Sequence, residues 1–185
     1  MSGKNSMRIA AGLAIMLALL LPCAGAPPSD PDVTTEDDLR AAFILNFARF
    51  ITWPGEYPDN PAPLVVGVWG DPGLASALDR VINGQTVRGR KLMVLTIRDF
   101  PHAGEVNILY VPSARQRQLG QWLKENAGTA ILTISADRGF CKQGGMIALY
   151  PEGRLIRFEI NQESVQRGGL RASSKLLALA RSGGG

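Results

Sequence analysis

LVVGVWGDPGLASALDRVING, residues 64–84, decides the fold class. Leu64 to Trp69 is apolar at almost every position, where a strand with one wet face would alternate. Such a run reads as a strand covered on both faces. Gly70-Asp71-Pro72-Gly73 then turns the chain, a helix follows over 74–82, and Asn83-Gly84 stops it. The same rhythm continues downstream. Strands are predicted over 91–97 and 106–111. An amphipathic helix over 114–126 carries Leu119, Trp122 and Leu123 on one side, and a fourth strand covers 130–134. After Ser135 the rhythm changes. A glycine-bearing loop over 136–145 leads to strands over 146–150 and 155–160. The Pro151-Glu152-Gly153 link is so short that these two must be antiparallel neighbours. A helical tail over 162–181 is interrupted at Gly168-Gly169. The expectation is an α/β three-layer sandwich with a mostly parallel sheet, ending in an antiparallel hairpin and a C-terminal helix.

Upstream of the first strand, a helix is predicted from Thr35. Thr35 and Asp38 have capping-box spacing. Leu39, Phe43, Phe47 and Phe50, with Asn46 between, share one face. Trp53-Pro54 ends the helix, because the residue before proline is pushed out of helical geometry.

The N-terminus reads as an export signal. Lys4 and Arg8 precede an apolar run over 9–21, then Pro22 and the small residues Ala24-Gly25-Ala26. The run is shorter than the roughly 20 residues a membrane-spanning helix needs. The expected organisation is a signal peptide over 1–26, a flexible leader over 27–34, a single domain over 35–181 and a disordered tail over 182–185. Cys23 raises a lipid-anchored alternative, against which stands the preceding Pro22. Without Lys4 and Arg8, the net charge of +4 falls to +2. So balanced a chain lacks the basic stripe of a nucleic-acid binder. Its remaining cysteine, Cys141, has no internal disulfide partner.

Parts for catalysis are missing from the sequence. His102 is the only histidine, in the loop Phe100-Pro101-His102-Ala103-Gly104, and no nucleophile motif accompanies it. Gly70-Asp71-Pro72-Gly73 lacks both phosphate-loop patterns, and Asp71 would repel an anion there. No enzyme activity, cofactor or metal is expected. The candidate contact residues are of other kinds. Phe47, Phe50 and Trp53 flank Arg49, which suits either core packing or an aromatic shelf with a guanidinium for a ring-bearing or carboxylate ligand or a protein partner. Gly144-Gly145 implies a special backbone conformation or a close approach by another chain. Arg157, Glu159 and Asn161 alternate with Ile156, Phe158 and Ile160, giving one polar and one apolar strand face. Leu170, Arg171, Ser173, Ser174 and Lys175 form a tail segment that can cover the polar face and line a small pocket.

Two strings in this chain are more specific than composition. FARFxxWP ends the first helix, at residues 47–54, and GGMIxL…RFEIN…GL…SSKLL runs from Gly144 to Leu177. Together they resemble the YfiR family of bacterial periplasmic regulators over roughly residues 38–181. The resemblance implies a single α/β domain, periplasmic and homodimeric, that regulates rather than catalyses. Its implied partner is the periplasmic part of an inner-membrane diguanylate cyclase. Binding holds that cyclase inactive and lowers cyclic dimeric GMP and biofilm formation. It also implies an outer-membrane lipoprotein that sequesters the regulator, and a small aromatic ligand. Family members often carry disulfides, and the lone Cys141 departs from that. A second reading stays open: a periplasmic small-molecule sensory module, for aromatic or nucleotide ligands, with a different output.

Overall fold

The structure, a computed structural model, describes residues 35–55, 62–99, 105–113, 116–153 and 155–181. The expected signal peptide, the leader, His102 and residues 182–185 lie outside these residues.

Helix α1 (Glu36–Phe50) begins with the expected cap. The Thr35 hydroxyl accepts from the Asp38 N–H at 3.1 Å, and the Asp38 carboxylate accepts from the Thr35 N–H at 3.1 Å. Asp38 also takes a guanidinium from Arg80 of helix α2 (Pro72–Ile82) at 2.7 Å, tying the two helices together. The Thr35 and Arg80 bonds hold the Asp38 carboxyl down at about 2. In α2, Asp71 is the N-cap and accepts from the Leu74 N–H at 3.0 Å, with Pro72 in the first turn.

Among the described residues the main sheet has seven strands. In chain order they are β2 (Leu64–Trp69), β3 (Thr86–Val87), β4 (Arg90–Ile97), β5 (Ile108–Val111), β6 (Leu132–Ser135), β7 (Ile147–Glu152) and β8 (Leu155–Ile160). Their spatial order is β3-β4-β2-β5-β6-β7-β8. The five inner strands are parallel, while β3 and β8 pair antiparallel at the two edges. The β3–β4 ribbon is too short for sequence periodicity to show. It turns through Arg88 (φ 50°) and Gly89 (φ 79°), and the Arg88 guanidinium donates to the Ile51 carbonyl at 2.9 Å.

Helices cover both faces, as the unbroken apolar run of β2 requires. Successive residues point to opposite sides. Leu64, Val66 and Val68 of β2, with Ile108, Tyr110, Leu132, Ile134, Ile147 and Leu149, pack with α1 and α2 in one core. Trp69, Leu109, Val111, Ala148 and Tyr150 pack on the other face with Leu119, Trp122 and Leu123 of helix α3 (Gln116–Glu125) and with Phe140. The three layers, mostly parallel sheet and terminal hairpin match the sequence reading.

Two boundaries differ from expectation. The first helix ends at Phe50, before Trp53-Pro54, because Ile51–Thr52 (β1) is extended and pairs antiparallel with Arg171–Ala172 (β9). For the same reason the C-terminal segment is not one broken helix. It forms α4 (Gln162–Arg167), β9 and α5 (Ser174–Leu179). A partner strand some 120 residues away in sequence decides both boundaries, and local propensity carries no sign of it.

Candidate functional site

The candidate residues fall into two regions. The first is a joint between the end of α1 and the C-terminal segment. Ile51 pairs with Ala172 and Thr52 with Arg171, and the Ser173 N–H donates to the Phe50 carbonyl at 2.9 Å. Ser173 is then the N-cap of α5, its hydroxyl accepting from the Leu176 N–H at 3.2 Å. The fold therefore brings the FARFxxWP string against the GL…SSK string. Most of what meets there is core. Phe47 is fully buried, its ring edge-on to Phe158 at 5.2 Å, with Phe43 completing the cluster at 6.2 and 5.9 Å. Trp53 and Leu170 are also buried, and Phe50 is half-buried against the same core. Arg49, Arg171, Ser174 and Lys175 are exposed. Arg49 donates to Gln85 Oε1 at 3.1 Å. Phe47 and Arg49 thus do not share a surface: one helix turn buries the ring and leaves the guanidinium outside.

The second region is the loop over 137–146 with the β7–β8 hairpin. Gly144 sits at φ 92° and closes the short turn Cys141–Gln143. Gly145 has a different reason: a Cβ there would overlap the Phe140 ring, which is wholly buried. At Gly145 the close approach is made by the chain's own Phe140, where the sequence reading has another chain in view. Cys141 is half-buried, its sulfur 3.6 Å from the Glu159 carbonyl, and burial pushes its thiol up to about 11. That environment disfavours the reactive thiolate.

The hairpin divides as its alternation implies. Ile147, Leu149, Ile156, Phe158 and Ile160 face the α1–α2 core. Ala148, Tyr150, Glu152, Leu155, Arg157 and Glu159 share the opposite face. There Glu159 accepts from the Tyr150 hydroxyl at 2.6 Å, and Arg138 lies 4.4 Å over the Tyr150 ring. Burial first, then the Glu159 bond, raises the Tyr150 hydroxyl above its usual range. Leu170 and Leu176 pack in the core on the far side of the sheet, and of the tail Arg181 reaches the polar face, at Glu152. A cavity of about 20 Å³ does lie nearby, between α3, β6 and α4. It is lined by Trp122, Asn126, Thr133, Gly144, Ser164 and Arg167, and it has room for one water molecule.

Arg138, Tyr150, Glu152, Leu155 and Arg181 stand beside Arg157 and Glu159, and sequence reasoning did not select them. The period-two pattern extended across the hairpin register would have found all but Arg138 and Arg181. Those two arrive from a loop and from the far end of the chain.

A model of the YfiR/HmsC-like family matches residues 37–181, which span, among the described residues, the nine strands and the five α-helices but for one residue of α1. The chain belongs to the YfiR/HmsC-like family. The family is regulatory rather than catalytic, and membership suggests a periplasmic regulator of diguanylate cyclase. Among the described residues, no helix is long and apolar enough to cross a membrane, and no cluster of three or more His, Cys, Asp or Glu residues could hold a metal.

Proposed function

We propose that this YfiR/HmsC-like chain is a periplasmic negative regulator, not an enzyme. It binds the periplasmic part of an inner-membrane diguanylate cyclase, holds it inactive and so lowers cyclic dimeric GMP and biofilm formation. Family membership over residues 37–181 carries this reading. In the same reading the apolar run over 9–21 directs export, cleavage falls near Ala26, the regulator is a homodimer, and an outer-membrane lipoprotein competes for it. Contact residues come from the candidate set: the exposed Arg49, Arg171, Ser174 and Lys175 at the joint, and the partly buried Arg157 and Glu159 on the hairpin.

The test is genetic and biochemical together. Deleting the gene should raise cyclic dimeric GMP, and restoring it should lower the nucleotide again. The tagged chain should co-purify with a membrane cyclase whose removal abolishes the effect of the deletion. Unchanged cyclic dimeric GMP on deletion, in cells that make the protein, would sink the reading.

A further inference from the structure

The polar face of the β7–β8 hairpin gathers three guanidinium groups around one carboxylate. Glu152 meets Arg181 at 2.7 Å, Arg157 at 3.5 Å and Arg138 at 3.7 Å. The second carboxylate on this face, Glu159, is engaged by the Tyr150 hydroxyl. Among the described residues, three positive charges thus face two negative ones. A single carboxylate cannot satisfy three forks of N–H groups: Arg157 reaches Glu152 only through its buried Nε, at 3.5 Å, while Arg138 also donates to the Pro151 carbonyl at 3.2 Å. The arginines are nevertheless accessible, their side chains 57, 42 and 52% exposed for Arg138, Arg157 and Arg181.

Two further features share the place. Leu155, on the same face as Arg157, is 55% exposed at the hairpin tip. In addition, β8 is the last strand of the sheet. Among the described residues its outer edge is met only by Arg181, which bridges Glu159 and donates its N–H to the Phe158 carbonyl at 2.9 Å. An open edge is a template for an extended chain.

The geometry points to a docking surface for an acidic, extended segment of a partner protein, laid along the Leu155–Arg157 end of β8 beyond the Arg181 bridge, with its carboxylates on Arg138, Arg157 and Arg181. Guanidinium forks match carboxylates bidentately, and strand addition supplies the main-chain bonds. Leu155 gives an apolar side chain of the segment somewhere to rest. A free small anion would use the arginines but neither the leucine nor the edge. A nucleic acid needs a broader basic stripe than a surplus of one charge. The inference deepens the proposed function only by taking the partner to be a protein.

The test uses the full chain as the cell processes it. The probe is a fluorescently labelled peptide of alternating glutamate and leucine, and its control carries lysine for glutamate. Anisotropy is read at about 20 mM and about 150 mM salt, where screening differs most. The glutamate peptide should bind and weaken with salt, and the lysine peptide should not bind. The pair Arg138→Gln with Arg157→Gln should weaken binding about tenfold or more, since both lost contacts are charge-assisted. Arg138→Lys with Arg157→Lys should recover part of it. Melting curves confirm that each variant is folded. Should the Gln pair fail to fold, the wild-type salt dependence and the lysine control decide. No binding of the glutamate peptide at low salt, equal binding of the lysine peptide, or unchanged binding by a folded Gln pair overturns the proposal. Cells separate it from the regulatory reading. If deleting the gene leaves cyclic dimeric GMP unchanged while the peptide results hold, the regulator reading falls and this surface stands. If deletion raises the nucleotide but the Gln pair represses fully and the peptide is not bound, the surface falls and the regulator stands.

Discussion

Phe47 and Arg157 are both candidate contact residues by sequence, yet one is sealed against Phe158 and the other shows its guanidinium on the outer face of a hairpin. The two regions around them differ in what covers them. The α1 end is roofed by α2, by the β1–β9 pair and by α5, so its aromatics have nowhere to go but inward. The polar face of the hairpin lies at the edge of a sheet whose second face has α3 as its helical cover, and there the side chains pair among themselves. Aromatics at helical spacing report burial, and alternating charges on an edge strand report access. The region that looks richer in binding chemistry is mainly architecture.

The comparison breaks most easily at Phe47. Phe47→Ala should cost about 3–5 kcal/mol of folding stability, as loss of a buried ring does. Urea denaturation measures it. A loss below about 1 kcal/mol would return the α1 aromatics to the binding surface. Next comes the loop beneath the hairpin. Gly145→Ala drives a methyl group into the Phe140 ring and should cost about 1–3 kcal/mol. Combining it with Phe140→Leu should recover part of that cost, and strict additivity of the two would argue against the clash.

How far the sequence reached follows the same division. The strand-turn-helix of residues 64–84 was legible because burial on both faces and the turn at 70–73 are written locally, although the helix starts at Pro72, capped by Asp71, rather than at 74. The capping box at Thr35 was legible for the same reason. The β1–β9 pair was not, since its two halves lie at opposite ends of the folded chain. Gly144-Gly145 was recognised as special, but Phe140 as the cause of the crowding needed three dimensions. Of the polar cluster, Arg157 and Glu159 were visible by alternation, while Arg138 and Arg181 join it only through tertiary placement.

Cys141 sharpens the contrast at smaller scale, since it lies between the loop and the hairpin. Cys141→Ser should cost less than about 1.5 kcal/mol, in keeping with a half-buried thiol. Its pH dependence has a definite sign. The thiol ionises at about 11 when folded, against 9.0 ordinarily, so the folded state disfavours the thiolate. This stabilisation is complete below pH 9 and fades as pH rises towards 11. Wild-type stability should therefore fall faster over that window than that of Cys141→Ser, in which the tyrosines still titrate. Parallel curves would place the thiol in water.

Arg49→Ala should have the smallest effect, within about 0.5 kcal/mol, because its side chain is exposed and donates to Gln85 across the surface. If the α1 end nevertheless contacts a partner, this variant should derepress cyclic dimeric GMP with an unchanged melting curve. Unchanged repression would leave the hairpin as the stronger candidate.

The β1–β9 pair also sets the order in which the molecule can be finished. Residues 51–52 wait for residues 171–172, so a chain threaded from its N-terminus cannot close this joint until residues 171–172 have emerged. Closing so long a loop is entropically costly and slow relative to local helix formation. Until then, the apolar side of α1 has lost part of its roof. A molecule whose joint is still open consequently exposes that side of α1 to proteases and to self-association, and clipping before β9 unlatches the α1 end of the fold.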